Sequence, residues 1–209
     1  MKINYLVPSF PTLSETFIAR EINHIRKVDH VDLEVFAFEG DEKSNRVNYF
    51  PKSRSVQVLR AGKSFAKFPV QTLGELLRSD RSYRTIFQAG YMTEILQRES
   101  CDLLVHQYIH LTADSAILVA NRINVPLVFF AHARDIYLSD RDDLARRMDF
   151  ASAVVTCTEY NKNHLMEIAQ EYSITSTNIK SVHHCIDPDL FGNSTNERDS
   201  KNPPNLLTV

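Results

Sequence analysis

The sequence predicts an α/β protein: a doubly wound parallel sheet with helices on both faces. Apolar segments of strand length alternate with helical patterns almost from end to end. The strand segments include continuously apolar runs such as Pro126–Ala131 (PLVFFA), as expected of strands covered on both faces. At 209 residues the chain buries a core without disulfide or metal staples.

Each element has its own local warrant. Met1–Val7 reads as a short strand. Over Ser14–Val28, Ile18, Ile22 and Ile25 fall at i, i+4 and i+7, one helical stripe. Val31–Phe38 alternates apolar with polar, and Ser55–Leu59 reads as a further strand. Phe65 to Leu96 holds two or three helices, with Leu73, Leu76 and Leu77, then Phe87, Tyr91 and Ile95, on apolar faces. Asp102–Val105 is a strand, Ala113–Arg122 a helix and Pro126–Ala131 a strand. Arg141–Met148 is a short helix, acidic at its start and basic at its end, as the helix dipole favours. Ala151–Cys157 is a strand, Glu159–Tyr172 a helix carrying Leu165, Ile168 and Ala169, and Ile179–His183 the last strand. The stretch 193–204 (NSTNERDSKNPP) is all polar or proline and reads as a linker. Asn205–Val209 then resumes as an apolar strand. The expected organisation is a domain over 1–192, a linker over 193–204, and over 205–209 the first strand of a further domain.

Composition excludes several classes. A net charge of −2 argues against a dedicated nucleic-acid binder. No apolar run approaches the about 18 residues of a spanning helix. The opening MKINYLV is too short and too β-like for a signal peptide. Cys101, Cys157 and Cys185 form no C-x-x-C pair and read as reduced thiols in a cytoplasm. With five glycines, no G-x-G-x-x-G can be assembled. Gly62-Lys63-Ser64 imitates the end of a phosphate loop, but Gln57 stands where its first glycine belongs.

Right-handed crossovers put every strand-to-helix loop on one edge of such a sheet, where its ligands bind. Five polar clusters follow strands there: Pro8–Phe17; His106 and His110; His132-Ala133-Arg134-Asp135; Thr158-Glu159; and His184 with Asp187.

These residues also carry a family resemblance. Pro11-x-x-Ser14-Glu15-Thr16-Phe17-Ile18-x-x-Glu21-Ile22 resembles the opening loop of bacterial glycosyltransferases of colanic-acid and other exopolysaccharide synthesis. His132-Ala133-Arg134-Asp135-Ile136-Tyr137 resembles their central motif. Val155-Thr156-x-Thr158-Glu159-Tyr160-Asn161 and Val182-His183-His184-Cys185-Ile186-Asp187, followed by Phe191, resemble later segments. The group is the retaining glycosyltransferases of family four, with the two-domain GT-B fold. The resemblance implies that this is the N-terminal, acceptor-side, Rossmann-like half, and that the C-terminal half holds most of the nucleotide-sugar site. It implies a nucleotide-sugar donor, a saccharide or lipid-linked acceptor, no metal or other cofactor, and little activity of this half alone. Two departures stand out: Pro8 and Pro11 occupy a loop where many relatives have glycines, and Cys185 stands where many have glycine.

By the same resemblance His132 faces the donor sugar, where a neutral imidazole bonds a hydroxyl or stabilises developing charge. The plainer alternative is a histidine lining the next helix. Pro11, Ser14, Glu15, Thr16, His106, Arg134, Asp135, Thr158, Glu159 and His184 are the candidate cleft residues. Arg134 offers donors to phosphate, though it and Asp135 also suit an ordinary helix start. Thr12 and Glu15 fit a capping box, whose helix N-terminus suits a diphosphate. His106, His110, His183 and His184 raise a metal reading, but His106 ends a strand, so the helical H-x-x-x-H geometry fails.

Lys43 to Phe68 holds seven basic residues and no acidic one. Arg60, Lys63, Phe65, Lys67 and Phe68 are the candidate contacts to an anionic membrane; a solvated basic face is the alternative. The expected location is cytoplasmic, peripheral to the inner face of the cell membrane. The competing functions are a non-catalytic binding module of the same fold and, less favoured, a metal-dependent hydrolase using the histidines.

Overall fold

A computed structural model describes residues 1–12, 15–40, 47–77, 82–110 and 112–184. Ser14, Asp187, Phe191, Cys185, the linker and the strand at 205–209 lie outside the described residues. The elements run β1 (Lys2–Ser9), α1 (Thr16–Ile25), β2 (Asp32–Glu39), β3 (Asn48–Tyr49), α2 (Arg54–Lys67), α3 (Pro69–Leu77), α4 (Tyr83–Glu99), β4 (Leu103–Gln107), α5 (Ala113–Ile123), β5 (Leu127–Ala131), α6 (Ala133–Leu138), α7 (Arg141–Phe150), β6 (Ala153–Thr156), α8 (Glu159–Glu171) and β7 (Asn178–Ser181).

All seven strands pair in parallel, in the order β3-β2-β1-β4-β5-β6-β7. The chain turns back between β1 and β4, with Leu6 opposite His106. Such a switch point opens a crevice beyond the strand ends. The two faces hold separate cores. Tyr5, Val7, Leu33, Val35 and Val105 pack with Ile18 and Ile22 of α1. Leu6, Phe36, Leu104, Phe129 and Val154 pack under α4, α5, α7 and α8. The period-two alternation of β1 sends neighbouring residues to opposite cores.

Two helix ends follow sequence rules. Asp140 caps α7, its Oδ1 accepting from the Asp142 and Asp143 backbone N–H at 3.0 and 3.1 Å. Asn124 ends α5 in the left-handed conformation, a position that Asn tolerates.

Other expectations are corrected. Ser55–Leu59 is no strand but part of α2; the sheet edge is filled by Asn48–Tyr49. Val56 and Val58 alternate like strand residues, yet α2 packs along α4. The close approach needs Gly90, where a Cβ would sit 2.6 Å from the Phe65 ring and 3.0 Å from the Ala61 methyl. The helix start that suits Arg134 and Asp135 is the short α6, with His132 as its N-cap. On α3 the expected inward face is reversed: Leu73, Leu76 and Leu77 are exposed, while Thr72 and Glu75 are buried. Tertiary pairing overrides periodicity there. Arg122 of α5 reaches Glu75 at 2.5 Å and Thr72 at 3.3 Å, and lies over the Phe65 ring.

Candidate active site at the carboxyl edge

The ends of β1, β4, β5 and β6 meet at the switch point, and β5 delivers His132 to its centre. The ring is half-buried, packed between Phe17 (centroids 5.1 Å apart) and Tyr108 (4.9 Å), and stacked on His184 at 5.6 Å. Its Nε2 is 2.9 Å from Gln107 Oε1. The other end of that fully buried amide donates to Glu21 at 3.3 Å and to the Tyr5 hydroxyl. A carbonyl oxygen only accepts, so His132 carries its proton on Nε2, and Nδ1 is the bare nitrogen. Burial, reinforced by the His184 charge and opposed by Asp135, pushes the His132 pKa below the ordinary histidine value. Burial likewise raises Glu21 above the usual carboxylate range, against the bonds from Tyr5 and Gln107.

Asp135 is fully buried beneath this edge rather than on it. Its Oδ2 accepts from the backbone N–H of His132 and of Ile109, both at 3.2 Å. One carboxylate thereby ties the loop after β5 to the loop after β4. His132 and Asp135 also close a capping box at the start of α6. His110 Nδ1 stands 2.8 Å from Asp135 Oδ1.

His106 is also corrected. It lies wholly inside, its Nδ1 2.8 Å from the Tyr108 carbonyl and its Nε2 2.9 Å from the Thr112 hydroxyl. Burial lowers its pKa to about 4. It is a framework histidine, neutral at ordinary pH. Tyr108, next but one along the chain, takes φ +75°, which turns its ring onto His132. Its phenol donates to Glu15, and burial followed by that bond raises its pKa.

Glu15 reaches the crevice through its bond with Tyr108, while Thr16, the first residue of α1, and Pro11 are exposed. The Thr12–Glu15 capping box does not form as expected. Glu15 is itself the N-cap of α1, and Thr12 donates its hydroxyl to the Glu15 carboxylate at 2.9 Å. Arg134 is exposed on the first turn of α6. Thr158 caps α8 by accepting from the Asn161 N–H at 3.1 Å. Glu159 is exposed, bonded to Ser181 and to Lys162 at 3.1 Å; these bonds, Ser181 first, lower its pKa. These last two serve α8 and β7 more than the crevice.

His106, His110, His183 and His184 do not come together as a group among the described residues. A different trio does: donor atoms of His132, Cys157 and His184 lie within 4.8 Å of one another. The nearly parallel His132 and His184 rings aim their in-plane lone pairs past each other, and Nε2 already serves Gln107. The trio fits a stacking surface better than an ion.

Gln107, Glu21, Phe17 and Tyr108 complete the site. Gln107 and Tyr108 lie between His106 and His110, but an amide and a phenol carry no motif of their own, and only the fold sets them against His132. A second cavity, of about 490 Å³, opens on the same edge beyond β1 and β2, where Ser9, Glu39, Arg84, Thr85 and Gln88 line it with polar groups.

The model of Glycosyltransferase Family 4 matches residues 14–190. The chain belongs to this glycosyltransferase family. The family's GT-B fold, with its Rossmann-like half, agrees with the seven-stranded parallel sheet. No curated protein matches it in sequence. Among solved structures it is similar in fold to the UDP-forming α,α-trehalose-phosphate synthase of Burkholderia vietnamiensis. That match has 13% identity and TM-score 0.53, and covers 91% of this chain and 49% of that one. It is similar also to the UDP-GlcNAc 2-epimerase of Neisseria meningitidis bound to UDP-GlcNAc, with 15% identity, TM-score 0.52 and coverage of 88% and 47%. The Rickettsia bellii UDP-N-acetylglucosamine 2-epimerase gives 14%, 0.52, and 88% and 45%. The chain thus spans just under half the length of these structures. Within the family the crevice at His132 is the candidate active site.

Proposed function

We propose that this family-four domain forms the acceptor-side wall of an enzyme that moves a hexose from a nucleotide-sugar donor to a saccharide or lipid-linked acceptor. The setting is bacterial surface-polysaccharide synthesis, as the SETFI and HARDIY motifs imply. The carrying observation is His132: neutral, held in one tautomer by Gln107, and seated at the switch point of a parallel sheet. The donor's opposite wall is a second, C-terminal domain, so residues 1–209 alone turn over little. The UDP-GlcNAc bound by the meningococcal epimerase supports a nucleotide-linked donor.

In this reading the α1 N-terminus, at Thr16, points free backbone N–H groups at the diphosphate. The Nδ1 of His132 leaves its capping bond to accept from a donor-sugar hydroxyl, which holds the sugar in place while positive charge develops at its anomeric carbon. The acceptor hydroxyl attacks from the face the diphosphate leaves, the departing phosphate takes its proton, and configuration is retained. No metal or protein nucleophile enters. The polar cavity at Glu39, Arg84 and Gln88 suits acceptor hydroxyls.

A donor screen on the full-length protein tests this, comparing wild type with His132→Ala. The expected result is transfer from one nucleotide sugar and a fall of roughly a hundred-fold or more in kcat for the variant. Unchanged turnover removes His132 from its role.

A further inference from the structure

The outer surface of α2 and α3 answers to no packing need of the fold. On α3, Val70, Leu73 and Leu77 are 79%, 59% and 77% exposed, and Leu76 flanks them. At i, i+3 and i+7 they form one stripe, opposite the buried Thr72 and Glu75. A soluble helix ordinarily buries its aliphatic face; α3 is held to the body by a buried ion pair and presents that face outward. On α2, Leu59 is 66% exposed, on the side opposite the buried Ala61 and Ser64, with Lys63 beside it. Both helices pack on α4, so both outer faces turn away from it.

Charge selects the occupant. From Val47 to Leu77 the chain carries Lys52, Arg54, Arg60, Lys63 and Lys67 against one acid, Glu75, which is buried against Arg122. That is a net +4 in a chain whose total is −2. Aliphatic residues flanked by cations, on helices too short to span, match a surface lying in the headgroup layer of an anionic membrane. No described helix is long and apolar enough to cross one.

We infer that the outer faces of α2 and α3 dock on an anionic lipid surface, with Leu59, Val70, Leu73 and Leu77 inserted and Lys63 on the headgroups. The residues differ from those the sequence singled out. Phe65 is turned into the core against Phe87, Arg60 lies over the Tyr91 ring, and Lys67 is 3.6 Å from Glu94. Phe68, the cap residue after α2, is half-buried. Of that set Lys63 and Lys67 are exposed, and only Lys67 is drawn toward a carboxylate, that of Glu94. The docking face is remote from the crevice. Glu75 meets Arg122 in the last turn of α5, about 13 Å along that helix from its first residue, which borders the site. Docking there anchors the protein without covering His132.

Flotation of the full-length protein tests this, with vesicles of phosphatidylcholine alone and of phosphatidylcholine mixed with phosphatidylglycerol. The expected result is salt-sensitive binding to the anionic vesicles only. Leu73→Ser/Leu77→Ser, made at exposed positions, abolishes binding with an unchanged circular dichroism spectrum. Lys63→Glu weakens binding at least about five-fold, the factor for one cation near such a surface. Leu138→Ser, at an exposed leucine on α6, leaves it intact. Two results overturn the inference: a folded wild type that stays with the unbound fraction, or a double variant that floats as well as wild type. Sedimentation showing self-association of wild type but not of the double variant, with neither floating, overturns it in favour of a second copy of the chain.

Discussion

Gln107 and His132, 25 residues apart, stand amide oxygen to ring nitrogen at 2.9 Å, and the same amide donates to Glu21 at 3.3 Å behind it. The buried glutamine can turn only one way: its NH₂ must meet the carboxylate, so its carbonyl meets the imidazole. Glu21, which makes no contact with the His132 ring, thereby decides through the amide which nitrogen of His132 is bare.

Gln107→Glu replaces that neutral amide with a second carboxylate between Glu21 and His132. The added negative charge favours imidazolium. NMR titration of the His132 ring is expected to show its pKa raised relative to wild type, and the acid limb of kcat is expected to move to higher pH with it. Gln107→Leu leaves Glu21 and His132 Nε2 without their shared partner and is expected to cost about 1–3 kcal/mol in urea unfolding.

Asp135→Ala removes the acceptor shared by two loop N–H groups, those of His132 and Ile109. The expected loss is about 2 kcal/mol of stability by thermal unfolding, since two buried donors are stranded. Because the site loops then separate, kcat is expected to fall further than donor affinity. Equal kinetics in a destabilised variant would restrict Asp135 to a folding role.

His106 makes folding acid-sensitive. Its folded pKa, about 4, lies below the ordinary value of 6.5, so the unfolded chain binds a proton first as pH falls. Its contribution is therefore whole above pH about 6.5 and is lost through the window down to about 4, to the extent of about 3 kcal/mol. Urea unfolding at several pH values across that window is expected to show a shallower pH slope in His106→Gln than in wild type.

Arg122→Ala abandons Glu75 as a buried, unpaired charge and is expected to cost about 3–5 kcal/mol. Arg122→Met/Glu75→Leu removes both charges and is expected to recover most of that loss. Guanidinium unfolding of the three proteins measures it; equal losses in single and double variants would show that the pair itself, rather than the stranded charge, sets the cost.

Much of this molecule was legible in the chain. The stripe of Ile18 and Ile22, the alternation over β2 and the continuous apolar run of β5 each report burial on a known face, and strand–helix alternation left one plausible sheet type. The edge where function should lie followed from handedness. Reading failed where a residue's partner was distant. His106 and Asp135 look like Arg134 in the sequence, polar and just past a strand, yet two are sealed under the loops and one is exposed. Val56 and Val58 alternate like strand residues, but α4 offered Gly90 for α2 to pack against.

The sequence by itself determined the elements, the parallel doubly wound sheet and the position of His132 at its carboxyl edge, because periodicity and strand length are local records of burial. The tertiary structure alone decided which side chains meet. It set Gln107 against His132, turned Glu75 inward onto Arg122, 47 residues away, and so turned Leu73 and Leu77 outward. The reason is energetic. An apolar residue is stabilised by any dry neighbour and leaves a repeating pattern. A buried amide, carboxylate or guanidinium needs one partner in one geometry, and only the path of the whole chain supplies it.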